Sequence, residues 1–141
     1  MLGHYLLFAR ECEQALETYT RAFGAEVAEV SRYGDMPANP DIPVAEADKG
    51  LVLHSRLRIG DEELMCADTL GPRQVGNSQF VSITTVDEAL VRRAWDVLAE
   101  GGEVYQPLAP SFFAAAHGSL RDRFGINWMV TALPPGGAPG A

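Results

Sequence analysis

The chain has 141 residues, of which 47% are hydrophobic and 21% charged, a length and balance that suit one globular domain with its own core. Its formal charge of −8 argues against a nucleic-acid or anionic-membrane partner, because both select clustered Lys and Arg. Cys12 and Cys66 give neither a disulfide framework nor zinc spacing, and no apolar run approaches the ~18 residues of a membrane span. The expected compartment is therefore a reducing cytoplasm.

Residues 3 to 9 predict a strand. Residues 11 to 23 predict a helix, because Cys12, Ala15, Leu16, Tyr19 and Phe23 fall on one face. Gly24 supplies a left-handed stop. Residues 25 to 33 predict a second strand. Residues 34 to 50 carry Gly34, Pro37, Asn39, Pro40 and Pro43 and predict a long loop, of a length that in compact domains is often functional. Tyr33 and Met36 at its entrance serve either a lid or an ordinary surface. Residues 51 to 68 predict a β-hairpin: Leu51, Leu53, Ser55, Leu57 and Ile59 alternate with Val52, His54, Arg56 and Arg58, and Gly60-Asp61 makes the turn. Gly71-Pro72 closes the first half.

The second half repeats this order. Residues 79 to 85 predict a β-branched strand. Thr85-Val-Asp-Glu88 reads as a capping box. Residues 90 to 99 predict a helix with Val91, Ala94, Trp95 and Leu98 on one face, ended by Gly101-Gly102. Residues 103 to 108 predict a strand, and 112 to 132 a last hairpin. The Pro- and Gly-rich stretch 134–141 predicts a disordered tail.

The two hairpins share a pattern. His54 is followed by Leu57-Arg58, a Gly turn and an apolar strand holding Met65, and His117 is followed by Leu120-Arg121, a Gly turn and Met129. The His-to-Met spacings are eleven and twelve positions, as expected of one supersecondary unit used twice. The expected fold is α+β: two βαβββ modules, 1–72 and 76–133, in one domain of residues 1–133, forming a curved mixed sheet with a central cup.

This layout resembles the vicinal oxygen chelate superfamily of glyoxalases, bleomycin-resistance proteins and extradiol dioxygenases, and within it the PhnB-like branch. The resemblance is carried by Tyr5-Leu-Leu-Phe8, Ala15-Leu-Glu-Thr-Tyr19, Phe23-Gly24, Arg32-Tyr-Gly-Asp35, His54 and Leu57-Arg-Ile-Gly-Asp61, Glu63-Leu-Met65, Leu98-Ala-Glu-Gly-Gly102 and Arg123-Phe-Gly-Ile-Asn-Trp-Met129. Some PhnB-like sequences bear a methyltransferase label. No Gly-rich strand-to-helix turn suited to a nucleotide-like cofactor occurs here, so that label is not carried over.

In the metal-dependent members, a divalent ion sits in the cup on residues of the first and last strands of each half. Those positions fall here on His4, on Met65, between Gln79 and Val81, and on Met129. A thioether is a poor ligand for zinc, magnesium or manganese. The expectation is therefore no metal cofactor, with His4 and His54 as the ligands should one bind, and Arg56 opposing a cation there. The leading function is a small-molecule-binding protein of the bleomycin-resistance type, holding an apolar or aromatic ligand in the cup, possible drug sequestration included. Its contacts would be Leu6, Phe8, Met65, Phe112 and Met129, with His4 and His54 as polar anchors. The alternative is a metal-dependent lyase, isomerase or dioxygenase using His4. Met65 and Met129 serve either a pocket or core filling, and Phe112-Phe113 either a pocket lip or packing. His117 is expected to be solvated beside a loop, and Trp95 and Trp128 to be structural. Buried Cys12, Cys66 without a base, and the Asp61-Glu62-Glu63 turn offer no catalytic group. Relatives of this class imply a homodimer.

Overall fold

A computed structural model of the chain describes residues 1–136. Its order is β1 (Tyr5–Phe8), α1 (Cys12–Phe23), β2 (Glu26–Arg32), β3 (Val52–Ile59), β4 (Glu62–Asp68), β5 (Val81–Thr85), α2 (Glu88–Ala99), β6 (Glu103–Ala109), β7 (Ala116–Arg121) and β8 (Asn127–Ala132). The fold class is α+β, with the βαβββ order written twice. The strands form two four-stranded mixed sheets, ordered β1-β4-β3-β2 and β5-β8-β7-β6. In each, the first strand pairs in parallel with the last and the other neighbours are antiparallel. The chain divides into two compact units, Met1–Thr20 with Gly24–Gln74, and Arg21–Phe23 with Val75–Ala141. Of the tail expected over 134–141, Pro135 and Gly136 form a turn after a half-buried Pro134, and residues 137–141 lie outside the described residues.

In the first unit, α1 buries Cys12, Ala15, Leu16 and Tyr19, the face read from the sequence. Gly24 caps it at φ 62°, and its N–H donates to the Thr20 carbonyl. The N-terminus is held differently. Glu11, at the capping position, makes no side-chain cap. Asp68 at the end of β4 takes its place: Oδ1 accepts from the Cys12 N–H at 2.9 Å and Oδ2 from the Val52 N–H at 3.0 Å. The Asp68 carbonyl accepts from the Tyr33 hydroxyl at 2.8 Å. Asp68 is 2% exposed, so these bonds form away from water and charge assistance makes them strong. A carboxylate there also complements the positive end of the helix dipole.

The long loop is less irregular than its composition implies. It contains short 3-10 turns at Tyr33–Asp35 and Glu46–Asp48. Its ends are joined by Tyr33 N–H to the Leu51 carbonyl and Gly34 N–H to the Lys49 carbonyl. A Cβ on Gly34 would lie 3.0 Å from the Lys49 Cβ, so glycine permits this approach.

In the second unit the capping-box expectation is corrected. The N-cap of α2 is Asp87, whose Oδ1 accepts from the Leu90 N–H at 3.0 Å, while Thr85 Oγ1 accepts from the Asp87 N–H. Asp competes well for this position because its short side chain reaches back to the first turn. The last hairpin starts at Ala116 rather than 112, because residues 111–114 form a turn closed by the Ser111 N–H on the Ala114 carbonyl. Its five-residue connection is built on buried Asp122, which accepts from the Phe124 and Ile126 N–H groups and from Trp128 Nε1. Trp95 lies over Gly118, where an added Cβ would come within 2.9 Å of the ring. Trp128 is fully buried.

Asp68→Asn tests the first of these junctions. An amide keeps one acceptor and sets its NH2 against the other backbone donor, at an expected cost of about 2 kcal/mol. Urea unfolding measures it, and a change within experimental error would show that Asp68 does not hold the unit together.

Candidate functional site

The register of each sheet fixes which side chains share a face. In the first sheet, Tyr5 pairs with Met65, Met65 with Arg56, and Arg56 with Glu29. These four form one row on the face turned away from α1. Tyr5 and Leu7 are 48% and 46% exposed, whereas Leu6 and Phe8 are buried and the Phe8 ring lies 6.2 Å from that of Tyr19 on α1. The expectation that Leu6 and Phe8 line the open face is therefore corrected: they belong to the core, and Tyr5 and Leu7 stand in their place. The cause is one residue of parity, which in a strand transfers every side chain to the other face.

His54 stands on the open face beside Tyr5. Its Nδ1 lies 3.2 Å from the Tyr5 hydroxyl and the ring centroids are 5.7 Å apart. The exposed His4 precedes β1, and its carbonyl accepts from the Met65 N–H at 3.0 Å. The tyrosine thus gives His54 the neighbour that the sequence reading assigned to His4. Arg56 is no free positive charge. It pairs with Glu29 and Glu63, each at 2.9 Å, and Arg58 pairs with Glu26 at 3.4 Å. The hairpin half of this face is a neutralised ion network.

The second sheet presents a different surface from the same register. Gln106, Ser119, Met129 and Ser82 form the row that corresponds to Glu29, Arg56, Met65 and Tyr5. The next row is Ala109, His117, Thr131 and Thr84. Neither row holds an Asp, Glu, Lys or Arg; the row on the other side of Ser119 carries Arg121, paired with Glu103 at 2.6 Å as Arg58 is with Glu26. His54 and His117 occupy equivalent positions, each two residues before the partner of the unit's methionine. The expected solvated role of His117 is corrected: it is a half-buried strand residue whose Nδ1 lies 2.9 Å from Thr131 Oγ1. The Phe113 ring stands edge-on to His117 at 5.0 Å, and Phe112, 98% exposed, is edge-on to Phe113 at 5.2 Å. Met129 is half-buried on this face.

Two further places lie outside these faces. The loop from Tyr33 to Lys49 encloses about 450 Å³ lined by Met36, Pro37, Pro40, Ile42 and Pro43 among others. Both cysteines are fully buried. Burial, with Asp68 adding to it, pushes the Cys12 thiol from 9.0 up to about 12, and burial followed by the neighbouring Cys12 pushes Cys66 higher still. Neither supplies a thiolate near neutrality. Among the described residues, no three His, Cys, Asp or Glu side chains converge as a metal site needs. At the mapped positions, the Met65 and Met129 thioethers are unsuited to a hard ion. These donors do not fit a divalent ion.

The thiols give a pH dependence of known sign. A group with a raised folded-state pKa contributes stability that is complete below its unfolded value and is lost as pH rises through the folded one. The urea midpoint is expected to fall from about pH 9 towards 12, less steeply in Cys12→Ala. Ellman's reagent at pH 8 is expected to find no reactive thiol in the folded chain and both after denaturation. Fast reaction of the folded chain would contradict the burial.

The family model described as 3-demethylubiquinone-9 3-methyltransferase matches residues 2–131. The chain is similar to protein PA1353 from Pseudomonas aeruginosa, at 32% identity and a TM-score of 0.80, over 93% of this chain and 96% of that one. It is 26% identical to protein YjdN from Escherichia coli K12 over 94% of this chain and 95% of its relative. The fold alone is shared with FosX, a fosfomycin resistance protein from Listeria monocytogenes. FosX was solved with Mn(II) and is 12% identical, with a TM-score of 0.64 over 96% of this chain and 94% of that one. No helix among the described residues is long and apolar enough to cross a membrane. The chain belongs to the 3-demethylubiquinone-9 3-methyltransferase family, a PhnB-like family of the glyoxalase, or vicinal oxygen chelate, superfamily.

Proposed function

We propose that this protein binds an apolar or aromatic small molecule on the open face of its second sheet, without a resident metal ion, as drug-sequestering members of its superfamily do. The observation that carries this reading is the uncharged row Gln106, Ser119, Met129 and Ser82, standing where the first sheet has Glu29, Arg56, Met65 and Tyr5. Covering an ion-pair network with an apolar ligand removes charges from water at a high cost. Ser119 is already buried, and covering the Ser82 hydroxyl and a polarisable thioether costs far less, since methionine adapts to flat or irregular shapes. Methyl transfer, which the family description names, draws no support from the strand-to-helix connections. Ala9-Arg10-Glu11 and Val86-Asp87 contain no glycine to admit a nucleotide-like cofactor.

The test begins with protein purified without chelator or histidine tag. Its metal content is measured, and aromatic compounds are then screened by thermal shift. The expected result is no stoichiometric divalent ion and at least one stabilising compound. Met129→Ala is expected to weaken that compound's binding by about tenfold, the order expected for loss of a contacting side chain, and Met65→Ala to leave it unchanged. A near-stoichiometric ion, or a screen in which nothing stabilises the fold, would end this reading.

A further inference from the structure

We propose that His117, Thr131, Phe113 and Phe112 form the recognition end of this site, and that its ligand is an uncharged planar aromatic molecule bearing a hydroxyl group. The inference rests on the binding reading above and names the ligand class and the anchor, which that reading leaves open. Four observations meet here. First, Phe112 is 98% exposed on a turn that is held in place. The Ser111 N–H donates to the Ala114 carbonyl at 3.1 Å, and Ser111 Oγ accepts from the Phe113 N–H at 3.3 Å. The fixed turn leaves the Phe112 backbone little conformational freedom to lose on binding.

Second, the three rings form a graded edge-to-face series. Phe112 meets Phe113 at 76° and 5.2 Å, and Phe113 meets His117 at 66° and 5.0 Å. Such a series offers an incoming ring the offset and edge-on contacts that aromatic groups prefer. Third, Thr131 engages His117 Nδ1 at 2.9 Å. This fixes the imidazole plane and leaves Nε2, which has no hydrogen-bond partner among the described residues. Whichever tautomer the Thr131 contact selects, Nε2 can pair with a hydroxyl, because a hydroxyl both donates and accepts. Fourth, the two rows around His117 hold no Asp, Glu, Lys or Arg. The exposed hydroxyl residues Ser82 and Thr84 lie on β5, on the far side of β8 from His117. A charged ligand would have to compete with the Arg121–Glu103 ion pair in the row beyond Ser119, whereas a neutral polar one finds hydroxyl partners.

The equivalent histidine of the first unit lacks this arrangement. His54 Nδ1 is likewise engaged, by Tyr5, but the row beside it carries Glu29 and Arg56. The same fold position therefore yields a ligand anchor in one copy and a component of a polar surface in the other.

The experiment compares 2-naphthol with naphthalene, titrated by ligand fluorescence at pH 7.5 against the wild-type chain, His117→Phe and Phe112→Ala. Wild type is expected to bind naphthol about tenfold more tightly than naphthalene, the worth of one hydrogen bond to a polar group. His117→Phe keeps a ring at the site, and is expected to bring that ratio to near one while leaving naphthalene affinity unchanged. Phe112→Ala, at an exposed position, is expected to weaken both compounds several-fold with the ratio kept. A ratio unaltered in His117→Phe overturns the anchor. Loss of an oligomer in Phe112→Ala, with both affinities intact, assigns the aromatic pair to a second copy of the chain and overturns the lip. If neither naphthalene compound saturates while other compounds stabilise the fold, this inference fails and the binding reading stands. If no compound binds at all, the binding reading itself has failed.

Discussion

A single buried carboxylate sets the geometry of the first unit. Asp68 ends β4, yet its side chain accepts from the first amide of α1 and the first amide of β3, and its carbonyl accepts from Tyr33 at the end of β2. The start of the helix, two strand ends and the exit of the long loop thus meet at one residue. The alternation of β3 and β4, and with it the direction in which His54, Arg56 and Met65 point, depends on where these strands begin and end. Asp122 does comparable work in the second unit, where it shapes the turn before β8 and holds the Trp128 indole. That turn is longer than Gly60-Asp61, which accounts for the additional residue between His117 and Met129.

Duplication of the βαβββ module gives two sheets with the same register and, in their central outer rows, different surface chemistry. The helix-facing sides agree in kind: Leu57 and Leu64 in the first unit, Leu120 and Trp128 in the second, are buried at equivalent positions. The outer sides have diverged. Arg56 is replaced by Ser119 and Glu29 by Gln106, so the middle of the ion network in one copy becomes a hydroxyl and amide row in the other, while its outer pair, Arg58 with Glu26, is kept as Arg121 with Glu103. Packing against a helix constrains the inner face of a strand, and the outer face is free to vary with what it meets. The outer rows are therefore where a shared fold carries a particular function.

Much of the architecture is legible in the sequence because its signals are periodic or local. The helical face of Cys12, Ala15, Leu16 and Tyr19, the Gly24 stop and the hairpin at Gly60-Asp61 are each written within a few residues. The repeat of His54 to Met65 in His117 to Met129 exposes the duplication. What is not legible depends on pairing between distant strands. Tyr5-Leu-Leu-Phe8 is apolar throughout, so no alternation tells which side is buried, and only its parallel pairing with Met65 to Asp68 decides. The neutralisation of Arg56 needs Glu29 and Glu63 brought beside it from two other strands. The partner of His117 is fourteen residues away in β8. Asp87, by contrast, is legible locally: an Asp immediately before a helical run is a strong cap, and it competes for that position with Thr85, whose hydroxyl instead accepts from the Asp87 N–H.

The central claim is that the second sheet, and not the first, carries the ligand face. Backbone amide chemical-shift mapping with a bound aromatic alcohol tests it most directly. The account predicts perturbations centred on Thr84, Phe113, His117, Ser119, Met129 and Thr131, with Tyr5, His54, Arg56 and Met65 unmoved. Perturbations centred on the first sheet, or confined to the loop of residues 33–49, would contradict it.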